Sequence, residues 1–222
     1  MTSIFQVALG DEFARLSPMM QKRFGVGLDA GYACVGTGVM TRVHRGPWWV
    51  VPFLQIGKLR NILVPDVGEN VPFTIENYPY RDPFGRETVT FVREYRIGGR
   101  LRRFDATMIL KGNRVLDYLG THQHLAVDLN LHVGADGDLN LTSHGQRFYE
   151  GPIGFRFPML FSGRATLHEW FDADAGVYRV KMAVHNRFFG FLFGYEGTFT
   201  CDFPAASDAP QRLKPARHES RL

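Results

Sequence analysis

The chain has 222 residues, of which 45% are hydrophobic and 22% are charged, the balance of a soluble globular protein that can form one domain with a sizeable core. Its formal net charge is +4, and the basic residues are scattered without a basic helix or a recognition motif, which argues against nucleic-acid binding. Aromatic residues make up 14%, and this richness predicts either a large aromatic core or an apolar cavity.

The N-terminal residues 3–24 predict two short helices. Ser17 followed by Pro18 is a typical helix start, because serine caps the free N–H groups and proline fits the first helical position. Gly25 suits the end of that second helix. The N-terminus has no signal-peptide pattern, so we expect a cytoplasmic protein.

Residues 31–44 predict the first strand. The glycines of the segment Gly36-Thr37-Gly38 lack the third glycine and the following helix of a dinucleotide-binding loop, so no nucleotide cofactor is predicted. Cys34 and Cys201 both lie in strand-like segments, and a reducing compartment would keep them as two free thiols.

Residues 47–65 predict a helix that begins at Pro47. Its apolar run is too short and too polar for a membrane-spanning helix, which needs about 20 apolar residues. The prediction is a helix packed against the sheet. The alternative is a lid or a membrane-facing helix, because Trp48 and Trp49 with nearby Lys and Arg are typical of an interfacial anchor.

Nearly everything from residue 71 onward predicts strand. The candidate strands are 71–80, 87–97, 102–111, 114–120, 122–133, 139–149, 164–171, 177–185 and 192–203. Sequential hairpins of this kind predict an antiparallel meander that closes into a β-barrel, lipocalin-like or calycin-like, within a single domain over residues 1–204. Residues 205–222 are polar and contain proline, so we expect a disordered C-terminal tail.

Two hairpins have a register that the sequence predicts. Gly98-Gly99 forms a two-residue turn. This turn predicts the cross-strand pairs Phe91–Ala106, Val89–Met108 and Glu94–Arg103. In the second hairpin, the turn at 135–137 predicts the pairs Val133–Leu139 and Leu131–Leu141, so that every apolar residue meets an apolar one.

The segment THQHLAVDLNLH, residues 121–132, contains three histidines on the polar face of its predicted strand. His122 and His132 would lie about 33 Å apart along a strand, which is too far for a shared metal. Only His122 and His124 remain as a two-ligand element, and two imidazoles without a third ligand are a weak zinc signal, so no metal site is predicted. The hairpin register places Asp128 opposite His144 and His122 opposite Glu150.

These His–carboxylate pairs have two interpretations. They are cross-strand charge pairs on a solvated face, or they are acid/base candidates of an enzyme. Gly145 can introduce a bulge, which makes the pairing of His122 with Glu150 less secure.

The segment 186–195 alternates aromatic residues and glycines. A regular strand would place Phe189, Phe191, Phe193 and Tyr195 on one face. The two interpretations are an aromatic core stripe and the wall of an apolar cavity.

The order of several motifs resembles an uncharacterised bacterial family, domain of unknown function 4166. The motifs are SIFQVALGDEFARLSPMMQKRFG, the GTG strand, YEGPIGFRFP and FGFLFGYEGTF, and the resemblance covers roughly residues 3–203. Some relatives look like fusions to a saccharopine-dehydrogenase-like NAD(P)-binding domain, which implies an NAD(P)-dependent oxidoreductase as a functional partner. The resemblance carries no catalytic residues and no cofactor for this chain.

Three functions follow from these features. The first is a binder of an apolar or amphipathic, lipid-like small molecule in the barrel, where charged side chains meet a polar headgroup. The second is an enzyme in the same cavity that uses His122 with Glu150, or His144 with Asp128. The third is a peripheral membrane or protein-interaction module. The candidate ligand-binding residues are Arg147, Arg156, Phe189, Phe191, Phe193, Tyr195, Trp48 and Trp49.

Overall fold

The computed structural model describes residues 2–51, 54, 61–62, 66–156 and 162–221. Two short helices lie at the N-terminus, α1 (Ile4–Leu9) and α2 (Pro18–Phe24), with a 3₁₀ turn Gly10–Arg15 between them. A reciprocal pair of hydrogen bonds starts α1, because the Gln6 N–H donates to Ser3 Oγ and the Ser3 N–H donates to Gln6 Oε1. Within these ranges no helix has the length and apolarity needed to cross a bilayer.

The remainder of the described chain is mainly β. The strands are β1 (Cys34–Arg45), β2 (Gly68–Asn77), β3 (Pro79–Arg81), β4 (Glu87–Thr90), β5 (Val92–Ile97), β6 (Arg100–Phe104), β7 (Ala106–Lys111), β8 (Arg114–Leu119), β9 (Leu125–Val133), β10 (Leu139–Glu150), β11 (Ile153–Arg156), β12 (Arg164–Asp172), β13 (Val177–Asn186) and β14 (Gly190–Asp202). All pairings between them are antiparallel, and they form one strongly curled, barrel-like sheet.

The strand order explains the curl of the sheet. From β7 to β10 and from β12 to β14, neighbours in the chain are neighbours in the sheet, and β10 also pairs with β12. β1 pairs with β2 on one side and with the last strand, β14, on the other. One long hairpin has β4 and β5 as its first arm and β6 and β7 as its second arm. Phe91 interrupts the first arm and Asp105 the second, and the Phe91 N–H still donates to the Ala106 carbonyl at 2.7 Å. The predicted meander and the barrel-like fold are therefore confirmed.

Both registers predicted from the turns are confirmed. Glu94 lies opposite Arg103, and Val89 lies opposite Met108. In the β9–β10 hairpin, Leu139 pairs with Val133 and Leu141 with Leu131. Apolar alternation sets these registers, because a shift by one residue would turn every apolar side chain to the wrong face.

The connections alternate between the two ends of the sheet because the strands are antiparallel. We call one end the upper rim. Its described residues are 46–51, 54, 61–62, 66–67, 98–99, 120–124, 151–156 (which include β11), 162–163 and 187–189. The lower rim carries the turns 82–86, 112–113, 134–138 and 173–176. The N-terminal segment is tied to the lower rim, where the Ser17 N–H donates to the Gly137 carbonyl at 3.0 Å and Glu12 Oε2 accepts from the Val133 N–H at 3.0 Å.

The core fills the inside of the curled sheet. Val127, Leu129 and Val133 of β9 belong to it, together with aromatic side chains of the N-terminal segment such as Phe5 and Phe24. The interior cavity lined by described residues has a volume of only about 30 Å³. A cavity needs ~10–15 Å³ for one water molecule, so this one is of water size.

The C-terminal segment differs from the expected disordered tail. Residues 205–221 run along the outside of the sheet, where Leu213 is buried and the Tyr118 hydroxyl donates to the Arg221 carbonyl at 2.7 Å. The Ala216 N–H also donates to the Thr121 carbonyl at 2.8 Å. The physical reason is a second apolar cluster on the outer face of the sheet, which this segment borders. The cluster consists of Ile109, Leu116, Tyr118, Ala126 and Tyr149.

The helix predicted at 47–65 is only partly described. Trp48–Val50 form a short 3₁₀ turn after Pro47. Residues 52–53, 55–60 and 63–65 of that prediction lie outside the described residues.

Candidate functional site

The histidine-rich segment is a turn followed by a strand. Strand β9 begins at Leu125, and the residues before it form a turn in which Gln123 has a positive φ of 55°. Leu129 and Val127 face the core, so the even-numbered residues of β9 face outward. His122 is therefore exposed in the turn and does not belong to the strand as the sequence predicted.

The predicted His–carboxylate pairs are wrong, because a bulge shifts the register. Ser143 pairs with Leu129, but Gln146 pairs with Val127, which leaves His144 and Gly145 in the irregularity. His144 is exposed, and Asp128 binds Arg147 instead, at 3.1 and 3.3 Å. A Cβ atom on Gly145 would lie 3.0 Å from Asp128 Oδ2, so glycine makes room for this carboxylate.

Glu150 contacts His124, which the sequence did not single out as an acid/base candidate. Its Oε2 atom lies 3.1 Å from His124 Nδ1, and the His124 ring stacks on Phe148. A carboxylate in this position orients the imidazole ring. Only 1% of His124 is exposed, so a substrate does not reach its ring in this conformation. His122 contacts the same ring at a centroid distance of 5.2 Å.

A groove of about 340 Å³ lies beside the β10–β11 hairpin on the outer side of the sheet. Its lining residues are Arg147, Tyr149, Pro152, Gly154, Phe155, Arg156 and Arg221. Two of these, Arg147 and Arg156, are ligand-binding candidates from the sequence, and the hairpin brings them together.

The two arginines lie directly opposite each other, since Arg147 of β10 pairs with Arg156 of β11. Like charges at directly opposed positions destabilise a strand pair. Asp128 offsets the charge of Arg147. Arg156 is exposed and has no carboxylate within ion-pair distance among the described residues. The groove therefore has an excess of positive charge.

Arg221 closes the groove from the C-terminal segment. Its guanidinium lies 4.6 Å from the centre of the Tyr149 ring and donates to the Gly151 carbonyl at 2.9 Å. Glu219 binds the same guanidinium at 2.6 Å. A Cβ atom on Gly154 would lie 3.0 Å from both Arg221 Nη1 and the Tyr149 ring, so only glycine leaves the groove this open. Sequence reasoning missed Arg221 because its segment was expected to be disordered.

The interior holds a buried ion pair that sequence reasoning did not predict. Arg23 of α2 binds Glu169 of β12, and its Nη1 atom donates to Asn77 Oδ1 at 2.9 Å and to Cys34 Sγ at 3.2 Å. A hydrogen bond from the Cys201 thiol and the Arg23 charge lower the pKa of Cys34 below its usual value. Both cysteines are free thiols, and the cluster ties α2 to the sheet.

Two further ionisable side chains face the interior. Arg93 is 7% exposed, and its charge lies over the Phe91 and Phe104 rings. Asp117 has no hydrogen-bond partner for its Oδ1 atom within the described ranges. Burial raises the pKa of Asp117 to about 7, since desolvation disfavours the carboxylate, and the charge of Arg93 lowers the pKa against this effect.

The aromatic stripe of β14 does not lie on one face. Phe193 and Tyr195 are buried in the core, as the core interpretation expects. A register shift between Val184 and His185 moves Phe191 out of this row, and its ring stacks on His44 at 4.8 Å. Phe189 precedes the strand and is exposed at the upper rim.

Trp48 and Trp49 are both exposed at the upper rim, and their rings contact each other edge to face at 6.1 Å. Neither lines the groove or the interior cavity. In the part of the chain that the structure describes, no group of three or more His, Cys, Asp or Glu side chains is arranged to hold a metal ion.

Comparison with known proteins gives a family without an assigned activity. The family model described as "Domain of unknown function (DUF4166)" matches residues 16–199. The chain is also similar to the uncharacterized protein YndH of Bacillus subtilis (strain 168), with 30% identity over 201 residues, which is 90% of this chain and 97% of YndH. The matched region contains the barrel-like sheet from β1 to residue 199 of β14, and on this basis the chain belongs to the DUF4166 family.

Proposed function

We propose that the protein binds an anionic amphipathic small molecule, lipid-like in size, and that the binding site is the outer groove beside the β10–β11 hairpin. The observation that carries this proposal is the direct cross-strand pair of Arg147 and Arg156 in a groove of about 340 Å³. Asp128 offsets one of the two charges, which leaves the other available to an anion.

Volume favours the groove over the interior cavity. Pockets for small molecules usually have volumes of ~300–1,000 Å³. The groove reaches this range, whereas the interior cavity of about 30 Å³ holds only water-sized groups. We therefore assign the ligand site to the outer side of the sheet and not to the barrel interior, which the sequence analysis proposed.

The chemistry of the lining residues favours a carboxylate or phosphate headgroup with an apolar part. A guanidinium group donates two parallel hydrogen bonds to either headgroup, and such charge-assisted bonds are roughly twice as strong as neutral ones. Tyr149 and Phe155 supply apolar surface beside the arginines. Arg156 is the residue that we expect to bind the headgroup, because its charge has no protein carboxylate to bind among the described residues.

Isothermal titration calorimetry with three probes of equal chain length tests the proposal. Dodecyl phosphate and dodecanoate, each below its critical micelle concentration, are expected to bind, and the neutral dodecyl maltoside is not. Arg156→Gln is expected to weaken dodecyl phosphate binding by about 10- to 100-fold, the value of a lost hydrogen bond to a charged group. Arg114→Gln at the lower rim removes the same charge from another exposed strand end and is the matched control.

A steric variant provides a second test. Gly154→Ala keeps every charge but places a methyl group against Tyr149 and Arg221, so it is expected to narrow the groove and reduce dodecyl phosphate binding. Equal binding of dodecyl phosphate by the parent and Arg156→Gln would refute the assigned site. Equal binding of all three probes would show that charge does not select the ligand.

A further inference from the structure

The upper rim carries most of the exposed hydrophobic surface of the described residues. The described residues include eleven exposed large hydrophobic side chains. Seven of them belong to the upper rim, and an eighth, Leu101 of β6, lies next to its 98–99 turn. These eight are Trp48, Trp49, Val67, Leu101, Ile153, Phe155, Phe188 and Phe189. The other three, Val7, Val39 and Phe84, are scattered over α1, the middle of β1 and the lower rim. A one-sided distribution of this kind marks an interaction surface.

The fold brings the most exposed aromatic residues together from distant parts of the chain. The Gly46 N–H donates to the Leu192 carbonyl at 2.8 Å, which places the end of β1 beside the start of β14. Trp48 follows β1, and Phe188 lies in the turn before β14. Their side chains are 77% and 67% exposed, respectively.

Exposed arginines accompany these side chains. Arg96 and Arg100 flank the β5–β6 turn, and Arg187 lies in the β13–β14 turn. None of the three has a carboxylate within ion-pair distance in the described part of the chain. Two carboxylates of the same rim have basic neighbours, since Asp66 binds Arg102 and Glu150 contacts His124, whereas Glu69 on β2 is exposed.

From this arrangement we infer that the upper rim docks on an anionic lipid bilayer. Tryptophan and phenylalanine side chains insert at the level of the headgroups, while arginines between them bind the lipid phosphates. The apolar side chains are spread over several turns around the rim and do not line one groove, which suits a flat bilayer surface better than a single protein segment. Of the eight exposed side chains only Phe155 also lines the ligand groove, and the tryptophans and arginines that carry this inference do not.

Co-sedimentation of the full-length protein with vesicles tests the docking surface. We expect binding to vesicles of phosphatidylcholine mixed with phosphatidylglycerol, and much weaker binding to phosphatidylcholine alone. Trp48→Ser/Trp49→Ser is expected to weaken binding about 10-fold or more, because two interfacial aromatic side chains are lost. Phe84→Ser is the matched control, since Phe84 is 49% exposed at the opposite rim.

Two double variants, each of which removes two positive charges, test the role of charge in vesicle binding. Arg100→Gln/Arg187→Gln removes two upper-rim charges, and each is expected to contribute about fivefold to binding of the mixed vesicles. Lys111→Gln/Arg114→Gln removes two exposed charges at the lower rim and therefore changes the net charge equally. Equal losses in the two variants would show that only net charge matters and would overturn the assigned surface.

Fluorescence measures whether the tryptophans enter the bilayer. Trp170→Phe leaves Trp48 and Trp49 as the only tryptophans, and we expect a blue shift and quenching by brominated lipids in the mixed vesicles. Failure of the parent protein to bind these vesicles would refute the inference. Self-association that Trp48→Ser/Trp49→Ser abolishes, without vesicle binding, would assign the rim to a contact between two copies.

Experiments can refute the ligand groove and the membrane-docking rim independently of each other. Gly154→Ala is expected to reduce dodecyl phosphate binding but to leave vesicle binding unchanged, whereas Trp48→Ser/Trp49→Ser is expected to do the reverse. Loss of vesicle binding in Gly154→Ala would show that the protein recognises membranes through the groove and would overturn the rim as the docking surface.

Discussion

Asp117 gives a stability prediction whose size depends on pH. It faces the interior, because its cross-strand partners Met108 and Val127 both belong to the core. Burial raises the pKa of Asp117 from 3.8 to about 7. In the folded state the carboxyl group therefore keeps its proton up to near-neutral pH, while in the unfolded state it loses the proton near pH 4. The parent protein loses stability over this interval as the pH rises.

The magnitude follows from the size of the shift. A difference of about three pKa units at about 1.36 kcal/mol per unit corresponds to roughly 4 kcal/mol. Asp117→Asn has the shape of the protonated acid but cannot ionise. We expect the variant and the parent to have similar free energies of unfolding at pH 4, and the variant to be more stable by up to roughly 4 kcal/mol at pH 8.

Urea unfolding of both proteins at a series of pH values measures this difference. Asp138→Asn is a control of opposite sign. Desolvation acts to raise the pKa of Asp138, but hydrogen bonds from its own backbone, Asn140 and His168 together outweigh it and lower the pKa. The Asp138 carboxylate stabilises the folded protein at every pH above the pKa that Asp138 has in the unfolded chain. The Asp138→Asn variant should therefore be less stable than the parent at pH 8. A parent protein at least as stable as Asp117→Asn at pH 8 would refute the reasoning and indicate a partner that satisfies the Asp117 carboxylate.

Two further predictions test packing. Glu169→Gln leaves the buried Arg23 guanidinium without a counter-charge and is expected to cost about 3–5 kcal/mol in urea unfolding, and a loss below 1 kcal/mol would contradict a tight buried pair. Leu213→Ala is expected to cost about 2–5 kcal/mol because Leu213 is buried against the sheet, whereas Leu101→Ala at an exposed site should cost far less. Equal and negligible losses for the two leucine variants would mean that the C-terminal segment does not pack.

The sequence determined the features that depend on local alternation and turn chemistry. Apolar residues at every second position of β9 separated an apolar from a polar face, but the structure decided that the apolar face points inward. The glycine-containing turns gave the registers of two hairpins. The short N-terminal helices and the meander also follow from local signals, because caps, turns and side-chain period act over a few residues. The family resemblance was recognisable from motifs that span the same elements.

Only the tertiary structure decided which polar side chains meet. The irregularity at His144 and Gly145 transferred Asp128 from a predicted histidine partner to Arg147, since one extra residue in a strand changes every pairing beyond it. The register shift in the β13–β14 pair likewise inserts one extra residue between Phe191 and Phe193, so Phe191 does not join Phe193 and Tyr195 in the core. Composition also gave no sign that the C-terminal segment is ordered, because the apolar cluster that it borders comes from strands far away in the chain. Arg221 reaches the groove only as a result of that packing, and the groove therefore became visible only in the folded molecule.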